Sequence, residues 1–368
     1  MAANFLAGVW DQNAALEVAS PVAAALEEIS TRWLLSLLDL PKDTGVGFVT
    51  GATMANFTGL AAARHVVLEK AGWDVERNGL FGAPPITVVV GDEVHVCLLK
   101  VLSMLGLGRE RVVRVAVDGQ GRMRADRIPD LQGPAIVCAQ AGNVNTGAFD
   151  PIAEIVEKIR KTDNIWLHVD GAFGLWAAAS PNRAHLADGI RQADSMATDA
   201  HKWLNVPYDS GLVFVRDAGA LVAAMSASAA YLTESGKREP FHYVPELSRR
   251  ARGVEIWAAR KSLGKKGLAD LIETNCRQAT RIAEGLKAAG FAILNDVALN
   301  QVLVSFGDAE TADRVIRRVQ DDGTCWCGGT TWQGKRAMRI SVSSWKTTDE
   351  DIARSLDAIL RMAKGEGL

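Results

Sequence analysis

The feature that most constrains how this chain folds is an alternation of short, continuous apolar runs with stretches of helical spacing. Ile86 to Val90, Ile136 to Ala139, Trp166 to Val169 and Leu212 to Val215 are of strand length, and helical stretches such as Ile152 to Arg160 lie between them. Ahead of them, Pro21 to Leu40 carries Val22, Leu26, Ile29, Trp33, Leu34 and Leu37 at helical spacing, with Ser20 as N-cap and Pro41 as a stop. Gly51 to Arg64 reads as a second helix, opened by a small-residue turn. The alternation predicts an α/β fold: a mostly parallel sheet covered on both faces, with chemistry at the carboxyl ends of its strands.

After Val215 the pattern changes. Ala218 to Ala230 is alanine-rich, residues 231 to 248 are polar and proline-punctuated, and Arg252 to Leu263 is helical again. A long helix (Leu268 to Ala289), a strand (Gln301 to Phe306), a helix (Thr311 to Gln320) and a strand (Ala337 to Ser343) then predict a small α+β domain. The expected organisation is an N-terminal helical segment at 1–45, a large domain at 46–230, a mobile connecting loop at 231–250 and a small C-terminal domain at 251–368.

With 41 basic and 43 acidic residues the net charge is -2, and no basic tract marks a nucleic-acid footprint, so a small-molecule substrate is expected. The five cysteines (Cys97, Cys138, Cys276, Cys325, Cys327) include no pair of Cys-x-x-Cys elements. Cys325-Trp326-Cys327 reads as a strand or turn with one thiol buried rather than a metal clamp, no metal is expected, and a reduced, cytoplasmic compartment follows. No secretion-signal pattern opens the chain, and charges interrupt each apolar run before it could span a bilayer, so no membrane partner is expected.

Three residues beside strand-like runs carry the chemistry. Lys202, within Asp199-Ala200-His201-Lys202-Trp203, is a candidate Schiff-base lysine, since a desolvated amine attacks an aldehyde; a surface lysine is the other reading. Asp170 ends Trp166-Leu167-His168-Val169 and precedes the small residues Gly171 and Ala172. A carboxylate there can pair with a pyridine nitrogen, or cap the next helix. His95 follows Ile86 to Val90 and the turn Gly91-Asp92-Glu93, where an imidazole can stack on a ring and handle a proton. Amine, carboxylate and aromatic ring together are what pyridoxal 5'-phosphate (PLP) needs to act as an electron sink. Its phosphate needs unpaired N–H groups at a helix start, which Thr50-Gly51-Ala52-Thr53 supplies. His65 and His185 read as structural, and His168 as a strand residue supporting Asp170. Two decoys fail: the stretch 329–335 mimics a P-loop but has Arg336 at the hydroxyl position and a strand after it, and Gly45-Val46-Gly47 misses the dinucleotide spacing, its third glycine, Gly51, coming one place late.

From about Ala15 onward the chain resembles the PLP-dependent group II amino-acid decarboxylases, the family of aromatic L-amino-acid, histidine and glutamate decarboxylases. The resemblance runs through Thr50-Gly51-Ala52-Thr53-Met54-Ala55-Asn56, His95, Asn145-Thr146-Gly147, His168-Val169-Asp170-Gly171-Ala172, His201-Lys202-Trp203 and Met338-Arg339-Ile340-Ser341-Val342. It implies the aspartate-aminotransferase fold (fold type I), a homodimer, Lys202 as the lysine bonded to PLP, Asp170 as pyridinium partner, His95 as stacking residue, and Ala52, Thr53 and His201 as phosphate neighbours. Asn143 stands where many members carry threonine near the substrate carboxylate, and Asp199 replaces a frequent asparagine. Tyr243, with His242 beside it, lies in the segment that supplies the family's proton donor, and Arg339 could grip a carboxylate or close a salt bridge. Against the family, the N-terminal segment that wraps the partner is largely missing or shortened. The implied activity is decarboxylation of an L-amino acid; an aminotransferase, a carbon-carbon lyase and a non-catalytic PLP-binding protein are the alternatives.

Overall fold

The computed structural model describes residues 1–227, 232 and 236–365. The chain divides into two compact units: Met1–Ala141 with Phe149–Leu268, and Gly142–Ala148 with Ala269–Leu368.

In the first unit, helices α1 (Ala2–Trp10) and α2 (Pro21–Leu37) lead into strand β1 (Gly45–Val49) and helix α3 (Ala52–Glu69). A single turn, α4 (Val75–Asn78), precedes β2 (Thr87–Gly91), α5 (Val96–Met104), β3 (Val113–Val115), β4 (Ala135–Gln140), α6 (Ile152–Ile159) and β5 (Ile165–Asp170). Then come β6 (Ser195–Asp199), β7 (Gly211–Val215) and α7 (Ala218–Met225). The strands form one sheet in the order β1-β7-β6-β5-β4-β2-β3. β3 to β2, β2 to β4, β4 to β5 and β5 to β6 pair in parallel. β4, β5, β6 and β7 are buried at each position, as a sheet covered on both faces requires. Leu60 and Val67 of α3, Leu98 and Leu102 of α5 and Leu221 of α7 share one apolar cluster with Val90, Ile136, Trp166 and Val213.

One strand runs the other way. β7, which the apolar run at 212–215 did not distinguish from its neighbours, pairs antiparallel with both β6 and β1. Parallel neighbours need a crossover of a dozen or more residues, usually a helix. Residues 200–210 join β6 to β7 with no helix, so the chain turns back on itself. That reversing turn carries Lys202.

The helical run α8 (Gly253–Ala288) is broken at Gly264, whose φ of 65° and ψ of -171° are not helical. The two predicted helices are therefore present, joined at this glycine. Its first half belongs to the first unit, where Val254 packs with Ala7, Ala14 and Ala23, so the boundary falls later than the expected 250. The 231–250 segment read as a mobile connection lies partly outside the described residues, at 231 and 233–235. From 236 onward it is packed: Phe241 is 2% and Val244 1% exposed, and Arg249 is buried on Glu27 at 2.6 Å.

The second unit contains β8 (Ala292–Ile293), β9 (Gln301–Ser305), α9 (Ala309–Asp322), β10 (Gly328–Trp332), β11 (Lys335–Ser341) and α10 (Asp349–Lys364). Its antiparallel sheet, β10-β11-β9-β8, carries Val302, Val304, Met338 and Ile340 into a cluster with Ile282, Val315 and Ile359. The loop 142–148 joins this unit because Asn295 Nδ2 donates to the Thr146 carbonyl at 2.9 Å. The P-loop look-alike at 329–335 is the β10–β11 hairpin, with Gln333 and Gly334 at positive φ in its turn. All five cysteines are free, and among the described residues no helix is long and apolar enough to cross a membrane.

Candidate active site

The neighbouring strands β5 and β6 each end in an aspartate. Asp170 is the last residue of β5 and Asp199 the last of β6, and the Asp199 N–H donates to the Ala172 carbonyl at 2.9 Å. Trp203, fully buried and tilted against Phe173 at 6.4 Å, anchors the turn that follows β6. Trp176 Nε1 donates to the Asp199 carbonyl at 2.9 Å. Lys202 therefore hangs from a turn fixed by aromatic burial. Its side chain is 41% exposed rather than desolvated, and Nζ lies 2.9 Å from Asp199 Oδ2. That ammonium must surrender a proton before the neutral amine can attack an aldehyde.

Asp170 is 5% exposed and is held by neutral donors. Asn56 Nδ2 donates to Oδ2 at 3.1 Å, and the Ala172 N–H donates to Oδ1 at 3.1 Å. The Cys97 thiol lies 3.7 Å from Oδ2. Burial, then the Asp170 carboxylate, push that thiol up to about 12, while the Lys202 ammonium pulls it down. The carboxylate and the amine thus act on this thiol in opposite senses.

The start of α3 is a cradle for an anion. Gly51 is its N-cap with no side-chain cap, and the Ala52 N–H donates to Asp199 Oδ1. A Cβ on Gly51 would come within 3.0 Å of His201 Cε1 and 3.1 Å of Asp199 Oδ1, and a Cβ on Gly211 would meet the Gly51 Cα at 2.5 Å, so only glycines permit this approach. His201 Nδ1 accepts from the Ser210 N–H at 3.1 Å, which leaves its proton on Nε2, 3.3 Å from Asp199 Oδ1. Burial lowers the pKa of His201, so the ring is neutral near pH 7. Tyr208 stacks on it at 4.1 Å. Among the described residues Ser210 Oγ is buried without a partner, an orphan that a ligand oxygen would satisfy.

His95 is the N-cap of α5, its Nδ1 accepting from the Cys97 N–H at 3.3 Å, which leaves its proton on Nε2. Tyr243 and His242 lie in the 3₁₀ turn Pro240–Tyr243. The Tyr243 carbonyl lies against Gly47, in the middle of β1, and its ring sits 4.1 Å from the Arg238 guanidinium in the α7 cluster. The His242 ring packs on Phe241 at 4.1 Å. Phe241 and Val244 on either side of the pair are buried. In the second unit, Asn143 Oδ1 accepts from the Asn145 and Thr146 N–H groups at 2.9 and 3.3 Å. Arg339 donates to the Val144 carbonyl at 3.3 Å and to Ser341 Oγ at 3.4 Å, and among the described residues its guanidinium has no carboxylate partner. Sequence reasoning assigned no role to Asn56, Cys97, Tyr208 or Ser210. For Asn56 the signal was an amide inside the apolar run of α3.

The residues present fit PLP: an amine on a strand-end turn, an anion supported by neutral dipoles, a glycine-opened helix start beside His201, and an orphan hydroxyl. Residues 1–307 match the model of the pyridoxal-dependent decarboxylase conserved domain. The chain is similar to the aromatic-L-amino-acid decarboxylase of Bacillus atrophaeus, 26% identical over 386 residues that cover 98% of this chain and 78% of that protein. It is also similar to the L-2,4-diaminobutyrate decarboxylase of Rhizobium meliloti (strain 1021), 27% identical, with 96% and 72% covered. Its fold matches the crystal structure of Oryza sativa TDC with PLP and tryptamine at a TM-score of 0.92 and 20% identity, covering 99% of this chain and 81% of that one. On the strength of the family match over most of its length, the chain belongs to the pyridoxal-dependent decarboxylases.

Proposed function

We propose that this chain decarboxylates an L-amino acid to its amine, with PLP held by Lys202, Asp170, His95 and the start of α3. The observation that supports this reading best is a buried carboxylate, Asp170, held by neutral donors at the end of one strand, next to the strand whose following turn carries the Lys202 amine. When bound, PLP supplies an aldehyde for an amine and a cationic ring that accepts the electron pair left by departing carbon dioxide.

The protein's residues do the rest. Asp170, its lone pairs already oriented by Asn56 and Ala172, presents a charge that keeps a ring nitrogen protonated. Asp199 holds Lys202 through Nζ, the atom that carries a transferable proton, and ties it to the helix start through Ala52. Neutral His201 and the α3 N–H groups receive the phosphate without adding a mobile charge. His95, its ring fixed by the α5 cap, is the stacking surface. The same reading takes the working unit as a cytoplasmic homodimer. Free cysteines and the exposed Phe5, Val9 and Val22 support it.

The test is to mix the protein with PLP and each common amino acid and to follow carbon dioxide and amine. Release of both from at least one L-amino acid is the expected outcome. Conversion of PLP to the pyridoxamine form without carbon dioxide would assign transamination instead.

A further inference from the structure

We propose that His168 is a positioning residue for the decarboxylation, acting through a one-way hydrogen-bond relay that delivers a donor to Asp170. The inference rests on the reading of Asp170 as the partner of the cofactor ring.

The relay has four links, all buried. Trp166 Nε1 donates to Ser195 Oγ at 2.8 Å, Ser195 Oγ lies 2.8 Å from His168 Nδ1, His168 Nε2 lies 2.8 Å from Asn56 Oδ1, and Asn56 Nδ2 lies 3.1 Å from Asp170 Oδ2. Ser195, His168 and Asn56 are 0% exposed and Asp170 is 5% exposed, so no water can substitute for a missing link. The chemistry allows one direction. A carboxylate only accepts, so Asn56 turns its NH₂ to Asp170 and its oxygen to His168. His168 must then carry its proton on Nε2 and accept on Nδ1 from the Ser195 hydroxyl, whose oxygen accepts the indole N–H. Each donor points toward Asp170, and bonds in such a chain polarise one another. Burial lowers the His168 pKa to about 3, so the ring supplies a dipole and no charge. Space for the ring comes from Gly59 of α3, where a Cβ would lie 3.1 Å from His168 Cε1 and 3.2 Å from Nδ1.

A structural histidine would fill this space without needing a particular tautomer. Protein labelled with ¹⁵N-histidine, with and without PLP, should therefore show His168 as the neutral Nε2–H form, unchanged from pH 5 to 8. An Nδ1–H form, or a titration above pH 5, would overturn the relay. Replacing His168→Phe should raise the PLP dissociation constant about tenfold, the size of one lost buried hydrogen bond, and shift the pH midpoint of the bound-cofactor absorbance. His168→Gln, which keeps an N–H toward Asn56, should stay within about threefold of the parent. Equal values for the two variants would reject the proposal. Where His168→Phe does not fold, Gly59→Ala presses on the same ring and should move the ¹⁵N signal and the dissociation constant together; no movement of either rejects the relay. Asp170→Asn separates the two levels: unchanged PLP affinity there overturns the role of Asp170, whereas the ¹⁵N result judges the relay by itself.

Discussion

Asp170 and Asp199 end neighbouring parallel strands, yet they are supported in opposite ways. Asp199 already has its cation, Lys202 Nζ at 2.9 Å, and sits on the positive end of α3 through Ala52. Asp170 is held by the Asn56 amide, the Ala172 N–H and the Cys97 thiol, all neutral. Neutral dipoles fix a carboxylate without cancelling its charge, so Asp170 keeps a full anion for a cationic ligand, whereas Asp199 spends its charge within the chain. On the proposed function, one aspartate meets the cofactor and the other holds the residue that binds it.

Several substitutions would break or sharpen this contrast. Lys202→Ala removes the amine that Asp199 holds; turnover should fall on the order of 10⁴-fold or more, with loss of the visible absorbance of the bound cofactor. A yellow, active variant would show that the cofactor is bound elsewhere. Asp170→Asn should lower kcat/KM roughly 10²- to 10³-fold, as expected for removing a preorganised charge. Asp199→Asn, which keeps an oxygen for Ala52 and loses only a half-exposed ion pair, should cost less than about tenfold. Steady-state kinetics on both variants decide the matter, and the reverse ranking would refute the contrast.

A smaller effect separates the two sites by pH. His168, in the Asp170 relay, is held down to about 3 against an ordinary 6.5, so the unfolded chain takes up its proton first. Its contribution to stability is present above about pH 6.5 and is lost as pH falls toward 3, amounting to roughly 2 kcal/mol at pH 5. Asp150, held up at about 6 by burial against an ordinary 3.8, works with the opposite sign and adds stability as pH falls through 6. His168→Gln should therefore gain roughly 2 kcal/mol relative to the parent on going from pH 7 to pH 5, measured by urea unfolding at both values. An identical pH dependence in parent and variant would contradict a buried, neutral imidazole. The smallest change expected is from Cys97→Ser, whose hydroxyl can make the same contact with Asp170; kcat/KM should move by less than about threefold. A larger loss would mean that the thiol does more than support the carboxylate.

Much of the fold was legible because most positions of these buried strands are apolar: β2, β4, β5 and β7 fall where Ile86 to Val90, Ile136 to Ala139, Trp166 to Val169 and Leu212 to Val215 predict them. Direction was not legible, since an apolar run reads the same for either orientation, and β7 is reversed by the turn that carries Lys202. Tyr243 illustrates a second limit. Its proline-punctuated, polar surroundings read as a mobile loop, but Phe241, Val244 and the Arg249–Glu27 pair bury the described part against the first unit.

The amino-acid sequence alone marks Lys202, Asp170 and His95 as candidate reactive groups and gives their positions next to strand-like runs, because side-chain chemistry and hydrophobic periodicity are local properties. Tertiary structure decides which groups share an environment. Asn56, His168 and Ser195 are far apart along the chain, and only the packing of α3 on β5 and β6 turns them into a directed chain of donors ending on a carboxylate. The reason is physical: a hydrogen bond acts over about 3 Å, and no pattern of neighbours along the chain specifies which distant residues will come within that distance.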